Sequence, residues 1–253
     1  MTKNRSKSKQ NGVALVTVMV ILLLSIIAVL AAGRTGLLNE ALVGSDSDYN
    51  RALAAAEALL RDAELDVQGR APVTGFFCRG APGIETELPG IVGCRDTTIA
   101  GSPWFPTGDQ EWEDDIEPLL AAAPAASPCV QAICAPANMT TLIGFEDNPT
   151  TMAAMVLRGA RYGEHTLTNR SVGNPILAAS GALPATQPGQ GWYWVEVFKF
   201  DMGAVPVPPA LDDARPSGAR FIYRITAIAL GQKAGTRAVL RSFYVPNPKR
   251  FAK

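Results

Sequence analysis

The chain has 253 residues, 47% of them apolar, with 23 Gly and 19 Pro, enough for one large domain or a medium domain with an appended element. Lys plus Arg and Asp plus Glu both total 23, so the chain lacks the basic signature of a nucleic-acid-binding protein. Without Lys3, Arg5, Lys7 and Lys9 of the leader, 19 basic residues face 23 acidic ones, a mildly acidic remainder suited to a solvated surface.

The first predicted element follows that leader, residues 1–12. Val13 to Ala32 is an apolar run in which only Thr17 and Ser25 are polar. As a helix rising about 1.5 Å per residue it matches the roughly 30 Å of a bilayer's hydrocarbon core. Basic residues before it, with no acid among them, predict a cytoplasmic N-terminus and export of the rest. A secretory signal has a shorter apolar region, about 7–15 residues, although Val29-Leu30-Ala31 offers a small-residue cleavage site. The pattern after Arg34 favours an anchor that is kept. Leu38, Ala41, Leu42, Ser45, Tyr49, Ala52, Leu53, Ala56, Leu59, Leu60 and Ala63 recur mainly at spacings of three and four, one face of a helix. Residues 50–64 are rich in strong helix formers, Glu57 and Arg61 stand at i,i+4, and no proline occurs before residue 72. One helix is therefore predicted from Val13 to about residue 66, its membrane half at 13–32 and an amphipathic continuation at 33–66. Gly33, Gly36 and Gly44 are where it would bend or melt.

A basic leader ending in Gly12, an apolar run from Val13 and a long amphipathic continuation resemble the type IV pilins and their secretion-system relatives. In that family a prepilin peptidase cuts after the glycine, the new N-terminus (here Val13) is methylated, and the hydrophobic helix is retained. The fifth mature residue would be Thr17. Major pilins carry a glutamate there to neutralise a neighbour's amine, so Thr17 is similar instead to the PilX-type minor pilins and the K-type minor pseudopilin. Val43 to Glu64 also resembles the PilX helix signature at Gly44, Asp48, Arg51, Ala55, Ala56, Glu57, Ala58, Leu60, Arg61, Ala63 and Glu64. The resemblance is specific over residues 9–66. It implies a pilin-like fold, an inner-membrane protein with a periplasmic head, and later an extracellular pilus, at its tip. The implied partners are other minor pilins, the major pilin, the prepilin peptidase and a large tip adhesin, with no cofactor and no nucleic acid.

Residues 67–150 read as loops and short strands, dense in Gly and Pro. All four cysteines, Cys78, Cys94, Cys129 and Cys134, fall here, without a CxxC pair. A structural zinc site usually includes such a pair, so an exported chain with this pattern is read as carrying two disulfides. Three connectivities are possible; pairing of sequence neighbours, Cys78–Cys94 and Cys129–Cys134, is preferred. The Cys129–Cys134 loop and the final strand pair also resemble PilX. The acidic run 108–117 groups Asp109, Glu111, Glu113, Asp114, Asp115 and Glu117. It is read as a solvated face. Calcium at Asp109, Glu111, Glu113, Asp114 and Asp115 is the alternative, although the spacing is not that of an EF-hand loop. Trp104, Phe105 and Trp112 beside it are read as a small satellite core rather than a partner patch.

Residues 151–168 fit either a strand or a short helix. Residues 192–200, rich in aromatic and β-branched side chains, predict a strand that places Trp192, Trp194, Phe198 and Phe200 on one face with Glu196. Residues 220–230, 231–236 and 237–245 predict a strand–turn–strand hairpin. Three antiparallel strands on a long helix make an α+β head over residues 67–253, its strands within 190–245 and 67–150 decorating it as a disulfide-bearing insertion. An enzymatic reading has little support. His165 is the only histidine, which leaves no His-based metal set or second ring nitrogen, and no P-loop or GxGxxG occurs. The sequence therefore reads as a minor pilin in a tip and priming complex that supports twitching motility and adhesin display. The alternatives are a K-type minor pseudopilin of type II secretion and a membrane-anchored periplasmic enzyme or binding protein.

Overall fold

A computed structural model describes residues 13–69, 78, 94–95, 103–106, 108–136, 144–166, 191–199 and 221–246. It divides into two compact units, Met1–Ser47 and Asp48–Lys253. Helix α1 is continuous over Val13–Gln68. It passes through Gly33, Gly36 and Gly44 without interruption, because good helix formers on both sides offset the cost of isolated glycines.

Within the first unit, every side chain described from Ala14 to Arg34 is exposed, and an 18-residue window there has mean hydropathy 3.1. Burial of such a surface requires lipid or other helices. The hydroxyls of Thr17 and Ser25 donate back to the Ala14 and Ile21 carbonyls at 2.9 and 2.8 Å, so neither offers an unsatisfied donor to hydrocarbon.

The second unit is a six-stranded sheet with helices on both faces. The elements after α1 are α2 (Asp109–Glu111), a π turn (Trp112–Ile116), α3 (Glu117–Ala121), β1 (Cys129–Val130), β2 (Ile133–Cys134), a 3-10 turn (Phe145–Asp147), α4 (Pro149–Val156), β3 (Ala160–Arg161), β4 (Gly191–Lys199), β5 (Phe221–Leu230) and β6 (Arg237–Tyr244). The strand order is β1-β2-β4-β5-β6, with β3 also paired to β4. β4–β5–β6 is the expected antiparallel core, and β5–β6 the expected hairpin. The middle region departs from expectation. β2 joins β4 in parallel, Ile133 beside Val195, and Phe105, Ile116, Leu120, Ala132 and Ile133 enter the main core. The insertion therefore completes the sheet and its core. Residues 109–121, expected as loop, are helical, since the Glu, Leu and Ala content of that stretch outweighs the surrounding Gly and Pro. Residues 149–161 hold both alternatives in sequence, a helix and then a short strand. Asn148 caps α4 by accepting the Thr150 and Thr151 N–H groups at 3.0 and 3.2 Å, with Pro149 in the first turn where its missing N–H costs nothing.

Strand alternation divides the core. On one face Tyr193, Val195, Val197, Ile225 and Ala227 pack on the α1 stripe Ala52, Ala55, Ala56, Leu59 and Ala63. Four of those five helix residues are alanines, which lets the helix backbone approach the sheet closely. On the other face Trp192, Trp194 and Ile228 pack with Phe145, Met155 and the Cys129–Cys134 bridge. Farther along that face Glu196, 2% exposed, is held by both Nε and Nη2 of Arg224 at 2.6 Å, because register places the two opposite each other. Phe198 shares this face, and Phe200 lies outside the described residues.

Candidate functional site

Three aspartates on the second-unit part of α1 each fasten a different piece of the head. Asp48 accepts the backbone N–H groups of Gln232 and Lys233 at 2.7 and 2.9 Å, capping the β5–β6 turn. Burial raises the pKa of its carboxyl, but these N–H groups and the Thr236 hydroxyl outweigh it and hold it below the usual value. A Cβ at Gly231 would meet the Thr236 Cβ at 2.7 Å, so only glycine leaves room for this turn against the helix.

Asp62 and Asp66 lie one helical turn apart on the buried face. Asp62 accepts the Gly163 N–H at 2.8 Å and the Thr166 hydroxyl. Its neighbours Asp66 and Glu164 are acidic, and burial with that repulsion pushes its pKa up to about 7. Asp66 has the opposite fate. It accepts Nε and Nη2 of Arg95 at 2.8 and 2.6 Å and the Tyr193 hydroxyl at 2.8 Å. Burial alone would raise its pKa, but the Arg95 guanidinium, His165 and the Tyr193 hydroxyl hold it below the ordinary carboxylate value.

Arg95 is the point where distant segments converge. It follows Cys94, which is bridged to Cys78. Its Nη1 donates at 2.9 Å to the Gln131 carbonyl, inside the loop closed by Cys129–Cys134. The guanidinium stacks over Phe105, 4.5 Å from the ring centroid. One side chain thus ties both disulfide loops and the 103–106 segment to α1.

The acidic segment lies at the end of the sheet where β4 stops. Asp109 and Glu113 reach Lys199 at 3.5 and 3.1 Å, and Trp112 packs on Phe221. Phe105 meets Tyr223 edge-on at 5.6 Å; Phe105 is part of the main core and Trp112 packs against it, so the two extend that core rather than form the separate satellite expected. Glu111 is half-buried, and Asp114 and Asp115 are exposed. Among the described residues no group of three or more His, Cys, Asp or Glu is gathered to hold a metal ion.

The helix-motif residues fall into two sets. Ala56, with Ala55 and Ala63, is buried against the sheet, and Glu64 is half-buried. Arg51, Glu57 and Arg61 are exposed, and Gly44 lies within the continuous helix. Val13 opens α1, and Gly12 lies outside the described residues.

Residues 100–246 match the family model for the C-terminal part of type IV pilus assembly protein PilX, more than half of the 253-residue chain. The chain belongs to the PilX family. No curated protein and no solved structure matches it. Its role is therefore in type IV pilus assembly, a structural task, with an apolar helix suited to membrane anchoring. For a PilX-family protein the arrangement is coherent: the head is clamped to its helix at three buried polar points, while Arg51, Glu57 and Arg61 remain on the free side. Sequence reasoning missed Arg95, Asp62 and Asp66. The available signal was their position: Asp62 and Asp66 fall on the apolar face of α1, where a charge demands a partner, and Arg95 adjoins a bridged cysteine.

Proposed function

We propose that this chain is a minor pilin that joins other minor pilins in a tip complex, priming type IV pilus assembly and supporting twitching motility and adhesin display. The observation that carries the reading is the exposed apolar part of α1, with Thr17 at the position where a core acid would stand. Prepilin peptidase would cut after Gly12, leaving a methylated Val13. The helix over Val13–Ala32 would hold the chain in the inner membrane with its head in the periplasm. In the filament, neighbouring helices would replace lipid around the exposed side chains. Without an acid at Thr17, the amine of Val13 has no internal partner, which suits a subunit at a filament end where few such pairings are made.

Two measurements test this. Mass spectrometry and N-terminal sequencing of protein recovered from membranes are expected to find methylated Val13. An intact Met1, or a start near Ala32, would overturn the pilin processing and favour a simple anchored periplasmic protein. Thr17→Glu is expected to alter incorporation into pili while membrane insertion is unchanged, read from the ratio of pilus-bound to membrane-bound protein. Equal filament assembly by both forms would remove the filament-end argument.

A further inference from the structure

We infer that the cleft between α3, the Cys129–Cys134 hairpin and the turn after α4 docks an extended segment of a neighbouring pilus subunit, one that carries a glutamate or aspartate beside an apolar residue. The inference rests on the proposed function only for the identity of the subunit that supplies the segment.

The cleft has a volume of about 400 Å³, and Leu119, Ala122, Pro124, Val130, Leu157 and Arg158 are among the residues that line it. This size falls within the roughly 300–1,000 Å³ typical of binding sites. Leu157 is 83% exposed, more than Leu15 at 77% in the apolar helix that needs lipid or helices to cover it. Leu157 lines the cleft with its side chain open to solvent, so a partner there would cover it. Next to it, the Arg158 guanidinium has no hydrogen bond or ion pair among the described residues. The other charge of the cleft, Glu164, already accepts the Arg161 N–H at 2.9 Å. A guanidinium fork with no such partner among the described residues can hold a carboxylate through two parallel hydrogen bonds.

The walls are rigid before anything binds. The Arg158 carbonyl accepts the Ala132 N–H at 2.7 Å, and the Arg158 N–H donates to Met155 at 2.9 Å. A Cβ at Gly159 would lie 2.7 Å from the Trp194 ring, so the chain after Arg158 is pressed against the core. Next to Arg158, Gln131 and Ala132 form the two-residue turn between β1 and β2, with the left-handed backbone, φ 48° and 68°, that such a hairpin turn requires; the Cys129–Cys134 bridge and Arg95 hold it. The Gln131 side-chain amide has no partner among the described residues and lines the cleft. The backbone carrying Leu157 and Arg158 is fixed in this way, so binding need not order the main chain. Consecutive apolar and cationic groups in a cleft that also has apolar lining match an extended segment in which an apolar residue adjoins an acid.

The test uses the full chain in detergent micelles and a fluorescein-labelled, amide-capped Gly-Leu-Glu-Leu-Gly peptide, with Gln replacing Glu as its control, read by fluorescence anisotropy. Saturable binding is expected, weaker by about tenfold or more for the Gln peptide, for Arg158→Gln and for Leu157→Ser. Arg158→Gln keeps the backbone contacts to Ala132 and Met155, so unchanged tryptophan emission will certify its fold. Equal binding of both peptides, no saturation, or full binding by Arg158→Gln would overturn the inference. The outcomes separate it from the minor-pilin reading. A chain processed at Val13 that shows no glutamate-dependent binding discards the cleft alone. Glutamate-dependent binding by a chain still carrying Met1 discards the pilin reading alone.

Discussion

Replacing Arg95 by methionine is expected to destabilise the head by about 3–5 kcal/mol, the usual cost of leaving one member of a buried ion pair alone. The Arg95 and Asp66 side chains are 0% and 1% accessible, so water cannot take the place of the lost partner. Asp66 would keep only the Tyr193 hydroxyl, and the Gln131 carbonyl would lose its donor. Methionine retains much of the volume and its contact with Phe105, which confines the change to charge and hydrogen bonding. Chemical denaturation of the full chain in micelles, followed by tryptophan fluorescence, gives the number. The decisive control is Arg95→Met with Asp66→Leu. Removing both charges should restore most of the loss, because an apolar pair of similar volume is tolerated where a lone carboxylate is not. A single variant that costs less than about 1 kcal/mol, or a double variant no better than the single, would contradict the convergence on Arg95.

The second large effect depends on pH. The folded pKa of Asp62, about 7, lies above its ordinary value of 3.8. The folded chain therefore binds this proton more tightly than the unfolded chain does. The resulting stability is fully present below about pH 4 and is lost as pH rises to about 7, a total near 4 kcal/mol at most. Asp66 works in the opposite sense. Its lowered pKa stabilises the fold above its ordinary value, and that contribution is lost as pH falls through the folded pKa. Comparison of wild type with Asp62→Asn isolates the first group. Asparagine is uncharged and can still accept the Gly163 N–H and bond Thr166, and Glu164 and Asp66 no longer repel it. Near pH 4 the two proteins should melt alike. Near pH 8 the variant should be the more stable by several kcal/mol. A difference that does not change with pH would show that Asp62 is not the group that titrates.

These two expectations concern how the head holds its helix. Asp48, Asp62 and Asp66 bind the β5–β6 turn, the 163–166 turn and Arg95 respectively. Three buried polar attachments add directional contacts to the non-directional apolar packing of the alanine stripe.

Much of the architecture is legible in the amino-acid order. The apolar run from Val13, the three- and four-residue spacing from Leu38 to Ala63 and the absence of proline define α1, because these signals act between residues close along the chain. The aromatic and β-branched stretches at 191–199, 221–230 and 237–244, with a Gly-containing turn between the last two, define the antiparallel core for the same reason. Local Gly and Pro density misled at residues 109–121, where helix formers prevail. Only tertiary structure decided that β2 would pair in parallel with β4, which lies about 60 residues farther on, and that the middle region would enter the core. Likewise, nothing near Arg95 in sequence announces Asp66, Gln131 and Phe105, and nothing near Leu157 announces the other residues that line its cleft. Short-range propensity and periodicity specify elements. The partners of buried charges and the shape of a cleft arise from long-range packing, where the cost of an unpaired group is set by segments that meet only once the chain has folded.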